Sequence, residues 1–204
     1  MSNIIHPTAI VNEGVQLGEN NYIGPYCIIT GDTIIGDNNV FISHCSIGQE
    51  AEHKSYFGKR GITVIGNGNR FSEFVTVHRG TVRSTEIKNN CILLRGSHVG
   101  HDTTIDDSVT LSCNVLIGGH STIMTGCNLG LGSIIHQFSV IGAYSMLGMG
   151  CIVPKSKQIE PAMIYVGNPA RKLKVNEIGL KRNGIDEKEL QELYKSYLEY
   201  VSKE

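Results

Sequence analysis

The sequence has no tryptophan, and aromatic residues of all kinds make up only 6% of its 204 positions. A core this poor in rings has to be assembled from aliphatic side chains in a thin, regular arrangement. No apolar run approaches the roughly 18 residues that a membrane-spanning helix needs. No excess of either charge is present, since 18 Lys and Arg stand against 19 Asp and Glu. A strongly basic nucleic-acid binder and a polyacidic disordered tail are therefore both excluded. The six cysteines contain no C-x-x-C pair, so the commonest metal and redox spacings are missing. The opening MSNIIHPTAIV has neither a charged leader nor a long apolar stretch. No signal peptide is expected, and a reducing cytoplasm is the expected location.

What the chain has in quantity is glycine, 24 residues in all, and a period of six. Ile5, Val11, Leu17, Ile23, Ile29, Ile35, Phe41 and Ile47 are in step, and Ile65, Phe71 and Val77 form a second run. A third run extends without a miss from Ile87 through Leu93, Val99, Ile105, Leu111, Ile117, Ile123, Leu129, Ile135, Ile141 and Leu147 to Val153. Neither a helical period of 3.6 nor plain strand alternation produces this pattern. Gly commonly follows the repeated aliphatic, and Asn or Asp follows in turn; these residues accept tight turns and positive φ. The fourth residue after most of these aliphatics is small or β-branched, as at Ala9, Thr33, Ser97 and Ser133. The pattern is that of a hexapeptide parallel β-helix, with three short strands per 18-residue coil and a little under eight coils. Its interior is expected to hold the aliphatic and the small residues. Cys27, Cys45, Cys91, Cys127 and Cys151 occupy the small inward slot and read as packing groups, whereas Cys113 does not.

Two segments break the phase, 49–64 and 78–86, and read as loop insertions, which in solenoids carry function. The hexads stop at Pro154. The chain is expected to divide into a β-helix over 1–158 and a C-terminal extension over 159–204. In that extension Asn176 to Arg182 reads as a short helix ended by Gly184. Asp186 and Glu189 then form a capping box. Leu190, Leu193, Tyr194, Tyr197, Leu198 and Val201 follow as one apolar helix face, expected to pack on the prism or on a neighbouring subunit.

In the third run, position modulo 18 gives the angle around the prism. His98, His101, Asp102, His120 and His136 fall at 8, 11, 12, 12 and 10, near one edge on successive coils. Such a cluster suits a metal, because neutral imidazole is the commonest metal ligand, or general base catalysis. Asp102 could orient or stabilise the His101 imidazolium. Gly119, one coil on, could offer a bare amide to an oxyanion. A base and a donor beside a groove describe acyl transfer better than metal hydration, and no metal is expected.

These residues carry a resemblance. SHVGHDTTI at 97–105, GGHSTI at 118–123, HQFSVIGAYSMLG at 136–148, GNPA at 167–170 and VNEIGLKRNGI at 175–185 resemble the acyl-carrier-protein–UDP-N-acetylglucosamine O-acyltransferases of lipid A biosynthesis. IHPTAIV at 5–11, IGPYCII at 23–29 and VTVHRGT at 75–81 do so too. The resemblance implies an all-β fold, a left-handed parallel β-helix with a short α-helical tail. It implies a homotrimer with active sites between subunits. It assigns the catalytic base to His101, with Asp102 beside it and Gly119 in the oxyanion hole. It places His78, His98, His120, His136, Gln137, Asn176 and Arg182 against the substrates, and Met149 at the acyl-chain ruler. A methionine there implies a shorter acyl group. No cofactor is permanently bound in that family; the donor is an acyl-carrier-protein or coenzyme A thioester.

The chain departs from the family in four places. Its N-terminal part is about one coil shorter. The loop that carries an acidic residue and a lysine near the sugar reads EAEHKSYFG. A second tail arginine is Asn183, and the helical tail is reduced to about one long helix. Seven cations against two acids over 155–182 form a basic patch suited to nucleotide or coenzyme A phosphates, or to an acidic carrier protein. The expected activity is transfer of a short or medium acyl group, such as a 3-hydroxyacyl, from a thioester to a nucleotide-linked amino sugar such as UDP-N-acetylglucosamine. An N-acyltransferase using acyl-CoA on a UDP- or dTDP-linked aminodeoxy sugar is the alternative, and a non-catalytic sugar-nucleotide-binding β-helix a further one.

Overall fold

The computed structural model describes residues 2–56, 58, 61–155 and 157–202. Phe57, Lys59 and Arg60 of the first insertion lie outside the described residues.

Each hexad contributes a strand, most often of two residues, and then turns a corner. Strands pair in parallel with those one coil away, so Ile92 is aligned with Thr110, Thr110 with Asn128 and Asn128 with Met146, always 18 positions apart. Three sheets of ten, eight and seven strands form the three sides. The first sheet starts at Ile4–Ile5, the second at Ile10–Val11 and the third at Gln16–Leu17. This is the parallel β-helix that the period of six predicts.

The insertions lengthen single coils without breaking the ladder. Val40 pairs with Arg70 and Arg70 with Ile92, offsets of 30 and 22 in place of 18. Strands Ser46–Gln49, Ile62–Ile65, Thr76–His78 and Thr85–Ile87 run into the segments read as loops. The excursions are therefore tighter than the loss of phase suggests, because backbone pairing continues where the side-chain pattern has lapsed.

The interior is a column of aliphatic residues, and Ile23, Ile29, Phe41, Ile47, Val99, Ile117 and Leu147 have no exposed surface. Phe41 and Phe71 stack face to face inside it, with centroids 4.5 Å apart. The five hexad cysteines are buried and all six are free thiols; Cys113 is partly exposed. Burial pushes the Cys91 and Cys127 thiols up to about 12. The corner between the third and first sheets carries an asparagine ladder. The Asn21 side-chain oxygen accepts from the Asn39 amide, that of Asn39 from the Asn69 amide, and that of Asn69 from the Cys91 amide. Each rung satisfies backbone donors that the turn would leave unpaired.

The solenoid continues beyond Pro154, where the hexads are expected to stop, because Ile159 and Tyr165 keep the step of six from Val153 and are buried. Ile159 bridges Ile141, and Met163–Val166 pairs with Met146–Leu147, so eight full turns are followed by the opening of a ninth. Tyr165, 1% exposed, fills the place in the column that an aliphatic residue holds elsewhere. Arg171–Val175 then returns antiparallel on Met163–Val166.

Two helices follow, α1 at Glu177–Asn183 and α2 at Glu187–Val201. Asn176 caps α1, and Gly184 ends it at φ 68°. Asp186 and Glu189 form the expected capping box of α2. Tyr197, Leu193 and Val201 pack α2 on Met124, Val140 and Ala143. The other half of the expected apolar face, Leu190, Tyr194 and Leu198, lines an open groove instead. Among the described residues, no helix is long and apolar enough to cross a membrane.

Candidate active site

The corner between the second and third sheets holds the site. On the strand His98–Val99 the valine points into the prism, which leaves the histidine on the outer face. The chain then turns through His101 and Asp102. Asp102, His120 and Phe138 adopt the left-handed conformation, with φ of 58°, 61° and 60°. They lie 18 residues apart, so one repeated turn stacks them on successive coils.

The Asp102 carboxylate is fully buried and densely bonded. It accepts from the amides of Thr81, Val82 and Arg83 at 2.7–3.0 Å and from the Thr81 hydroxyl at 2.7 Å. His101 Nδ1 is 2.6 Å from its Oδ2. Burial alone would raise the Asp102 pKa. The Arg83 amide, the His101 ring, the Thr81 hydroxyl and the Val82 amide outweigh that and hold it well below the usual carboxylate range. An ionised carboxylate can only accept, so His101 Nδ1 carries the hydrogen and Nε2 presents its lone pair.

That lone pair faces Gly119, where there is no room for a side chain. Gly119 is buried, and among the described residues its amide donates to no protein acceptor. Gly100, one coil earlier, is bare over the same amide: a Cβ there would come within 2.7 Å of the Gly119 nitrogen. Two glycines thus keep an unpaired N–H open beside the His101 imidazole.

His120 meets His101 edge to face at 5.0 Å and stacks on Phe138 at 4.6 Å. Burial lowers its pKa, against a raising effect of Asp102. Arg83 binds the corner together, its guanidinium donating to the carbonyls of Asp102 and His120. On the second sheet His78 and His98 lie 5.2 Å apart. His136 and Gln137 flank a shallow groove with His98, Leu116, Gly118 and Ile134. The structure therefore gathers His78, His98, His101, Asp102, Gly119, His120, His136 and Gln137 on one side of the prism.

Three expected site residues stand apart within the single chain. Asn176 is the α1 cap: its side-chain oxygen accepts from the Gly179 amide, and its Nδ2 donates to the Tyr144 carbonyl. Asn176 and Arg182 line a separate depression with Thr110, Asn128, Met146 and Ile164. Met149, 77% exposed, occupies the corner between the first and second sheets. In the basic patch, Lys172 is paired with Glu160 at 2.7 Å.

Sequence reasoning missed the contribution of the insertions. His53 meets the His101 ring edge to face at 5.4 Å. Glu52 comes within 3.8 Å of His78 and 3.7 Å of His98. The amides of Thr81, Val82 and Arg83 that hold Asp102 come from the second insertion. The signal available was position: both insertions leave the coil close to the edge that carries the histidines.

A scan against models of known protein families finds no match. Solved structures do match. The UDP-N-acetylglucosamine O-acyltransferase (LpxA) of Moraxella catarrhalis is 31% identical, with a TM-score of 0.81 over 95% of this chain and 82% of its own. LpxA of Acinetobacter baumannii is 31% identical, with a TM-score of 0.74 over 96% of this chain and 81% of its own. The UDP-N-acetylglucosamine acyltransferase of Francisella novicida is 27% identical, with a TM-score of 0.81 over 95% and 78%. With 31% identity over 95% or more of its length, the chain belongs to the UDP-N-acetylglucosamine acyltransferase family.

Proposed function

We propose that the protein transfers an acyl group from a thioester to a hydroxyl of a nucleotide-linked amino sugar such as UDP-N-acetylglucosamine, with His101 as general base. The observation that carries this reading is the relation of His101 to its two neighbours. Asp102 fixes the proton on Nδ1 at 2.6 Å, and Nε2 faces the bare Gly119.

In this mechanism the sugar hydroxyl gives its proton to His101 Nε2 as its oxygen adds to the thioester carbonyl carbon. The imidazolium that forms is stabilised by the Asp102 carboxylate. The carbonyl oxygen becomes an oxyanion and takes the hydrogen bond of the unpaired Gly119 amide. When the C–S bond breaks, the electron pair leaves with sulfur and the Nε2 proton neutralises the thiolate. His78, His98, His120, His136 and Gln137 line the surface over which the sugar and acyl chain would lie.

Asn176, Arg182 and Met149 reach the reaction in this proposal across a subunit boundary, in a homotrimer whose sites lie between copies. Arg182 then serves the diphosphate and Met149 limits the acyl chain. The donor is an acyl-carrier-protein or coenzyme A thioester, and the product enters lipid A biosynthesis.

The test is thioester consumption with UDP-N-acetylglucosamine as acceptor. His101→Ala should lower turnover by about 10²–10⁴-fold; wild-type turnover in the variant would refute the assignment. Offering the 3-amino analogue of the sugar distinguishes the acceptors, since preference for the amine would replace oxygen with nitrogen acylation.

A further inference from the structure

Beside the proposed base lies a second group that the mechanism leaves unused in this combination: Glu52, His78 and His98. Each histidine has its inner nitrogen engaged. His78 Nδ1 bonds the Glu50 backbone carbonyl, which can only accept, so Nδ1 carries a hydrogen and Nε2 is the atom left to ligate in the neutral ring. His98 Nδ1 is 2.9 Å from the Thr76 hydroxyl. Both Nε2 atoms face the Glu52 carboxylate, at 3.8 and 3.7 Å. One ligand atom from each of the three residues falls within 4.8 Å of the others.

These separations are too long for hydrogen bonds. They approach the edge of a tetrahedral zinc site, about 3.4 Å for metal–ligand bonds of about 2.0–2.2 Å. The inner-nitrogen contacts supply the orienting partners that metal-bound histidines need. Glu52 is 69% exposed and His98 24%, so a fourth position opens to solvent. The neighbouring triplet His101, Asp102 and His120 is also compact, but the Asp102 carboxylate is already saturated by five donors. A metal there would have to displace them.

We propose that Glu52, His78 and His98 form a binding site for a divalent transition cation of the zinc class. The site has two imidazoles, one carboxylate and one open position. An occupied site covers the outer face of the second sheet next to His101, where the acceptor would lie, so zinc inhibits acyl transfer reversibly. The proposal rests on the ligand geometry; only its inhibitory consequence depends on the acyltransfer reading.

The experiment uses chelator-stripped full-length protein, with zinc titrated by calorimetry and Co²⁺ titrated by its visible ligand-field absorption. The wild type should take up one ion per chain and give a four- or five-coordinate Co²⁺ spectrum. Glu52→Ala and His98→Gln should each weaken binding by at least about tenfold, with circular dichroism confirming the fold. His44→Gln, at an exposed histidine on the corner between the first and second sheets, should bind as the wild type does. Absence of a stoichiometric ion in the wild type, or unchanged affinity in a folded Glu52→Ala variant, would overturn the site. Because binding is read without turnover, an inactive enzyme that still binds zinc would count against acyl transfer alone.

Discussion

A Cβ built on Gly119 would lie 2.8 Å from Nε2 of His101 and 2.9 Å from the His101 carbonyl oxygen. The glycine is therefore required by the His101 ring and carbonyl above it and not by its own backbone angles. Gly119→Ala should push the imidazole off the amide and lower thioester turnover by about 10²–10³-fold, with a stability cost of about 1–3 kcal/mol. Turnover assays paired with urea melts would show both effects, and a variant with unchanged turnover would contradict the contact.

Asp102→Asn puts an NH₂ group, in one of its two orientations, against the fan of amides from the second insertion. A loss of about 2–5 kcal/mol is expected at neutral pH. The Asp102 pKa is depressed in the folded state, so its contribution is complete above the unfolded value of about 3.9 and disappears as pH falls through the folded one. The difference between variant and wild type should accordingly shrink in strong acid, as read by denaturation at a series of pH values.

His120 should titrate below the ordinary histidine value, because burial disfavours its charged form and Arg83 adds repulsion. Arg83→Gln should move it upward, and Asp102→Asn should move it further down, as followed by proton NMR of the ring. A folded value below the unfolded one means that this residue's contribution is complete above about pH 6.5 and is lost as pH falls toward the folded value.

Thiol chemistry separates the cysteines. A chromogenic disulfide reagent should modify Cys113 in the native protein and all six thiols once it is unfolded. Cys91 and Cys127 should be slow to react in the native protein, since burial that raises a thiol to about 12 also denies the reagent access. Rapid native labelling of either residue would contradict the packed interior.

Inside the column, Phe71→Ala removes half of the only stacked phenylalanine pair among the described residues and should cost about 3–5 kcal/mol. Phe71→Leu, which restores the aliphatic type used elsewhere in the column, should recover much of that loss in the same denaturation assay.

The interior was legible in the sequence because one side-chain period matches one side of the prism, so Ile105, Ile123 and Ile141 had to face the same way. The histidine edge was legible for the same reason: His101 and His120 differ by 19 residues, one coil plus a single position. Once the phase lapsed, side-chain rhythm said nothing. Glu52 and His53 reach the site by loop geometry, and Thr81 to Arg83 act mainly through backbone amides, which every residue type but proline carries. Past Pro154 the period itself persists, because Ile159 and Tyr165 follow Val153 at steps of six and are buried in the column. The substrate role of Asn176 rests on resemblance alone; within the chain its side chain caps α1 and donates to the Tyr144 carbonyl, contacts that its place in the sequence only half announces. On α2, apolar spacing identified the face but could not say which half the prism covers; Tyr197 is buried and Leu198 is not.

The fixed stagger between paired strands has a consequence for how such a molecule can change size. Ile4 is aligned with Tyr22 and Tyr22 with Val40, each an equal step along the chain. Excising 22–39 would bring Ile4 against Val40 with every rung below undisturbed, whereas removing one residue would turn the outward and inward positions around from that point on. Between corners, length in this architecture is quantised, whereas a corner absorbs extra residues of any number: the prism can gain or lose whole storeys far from His101 while its chemistry remains in place.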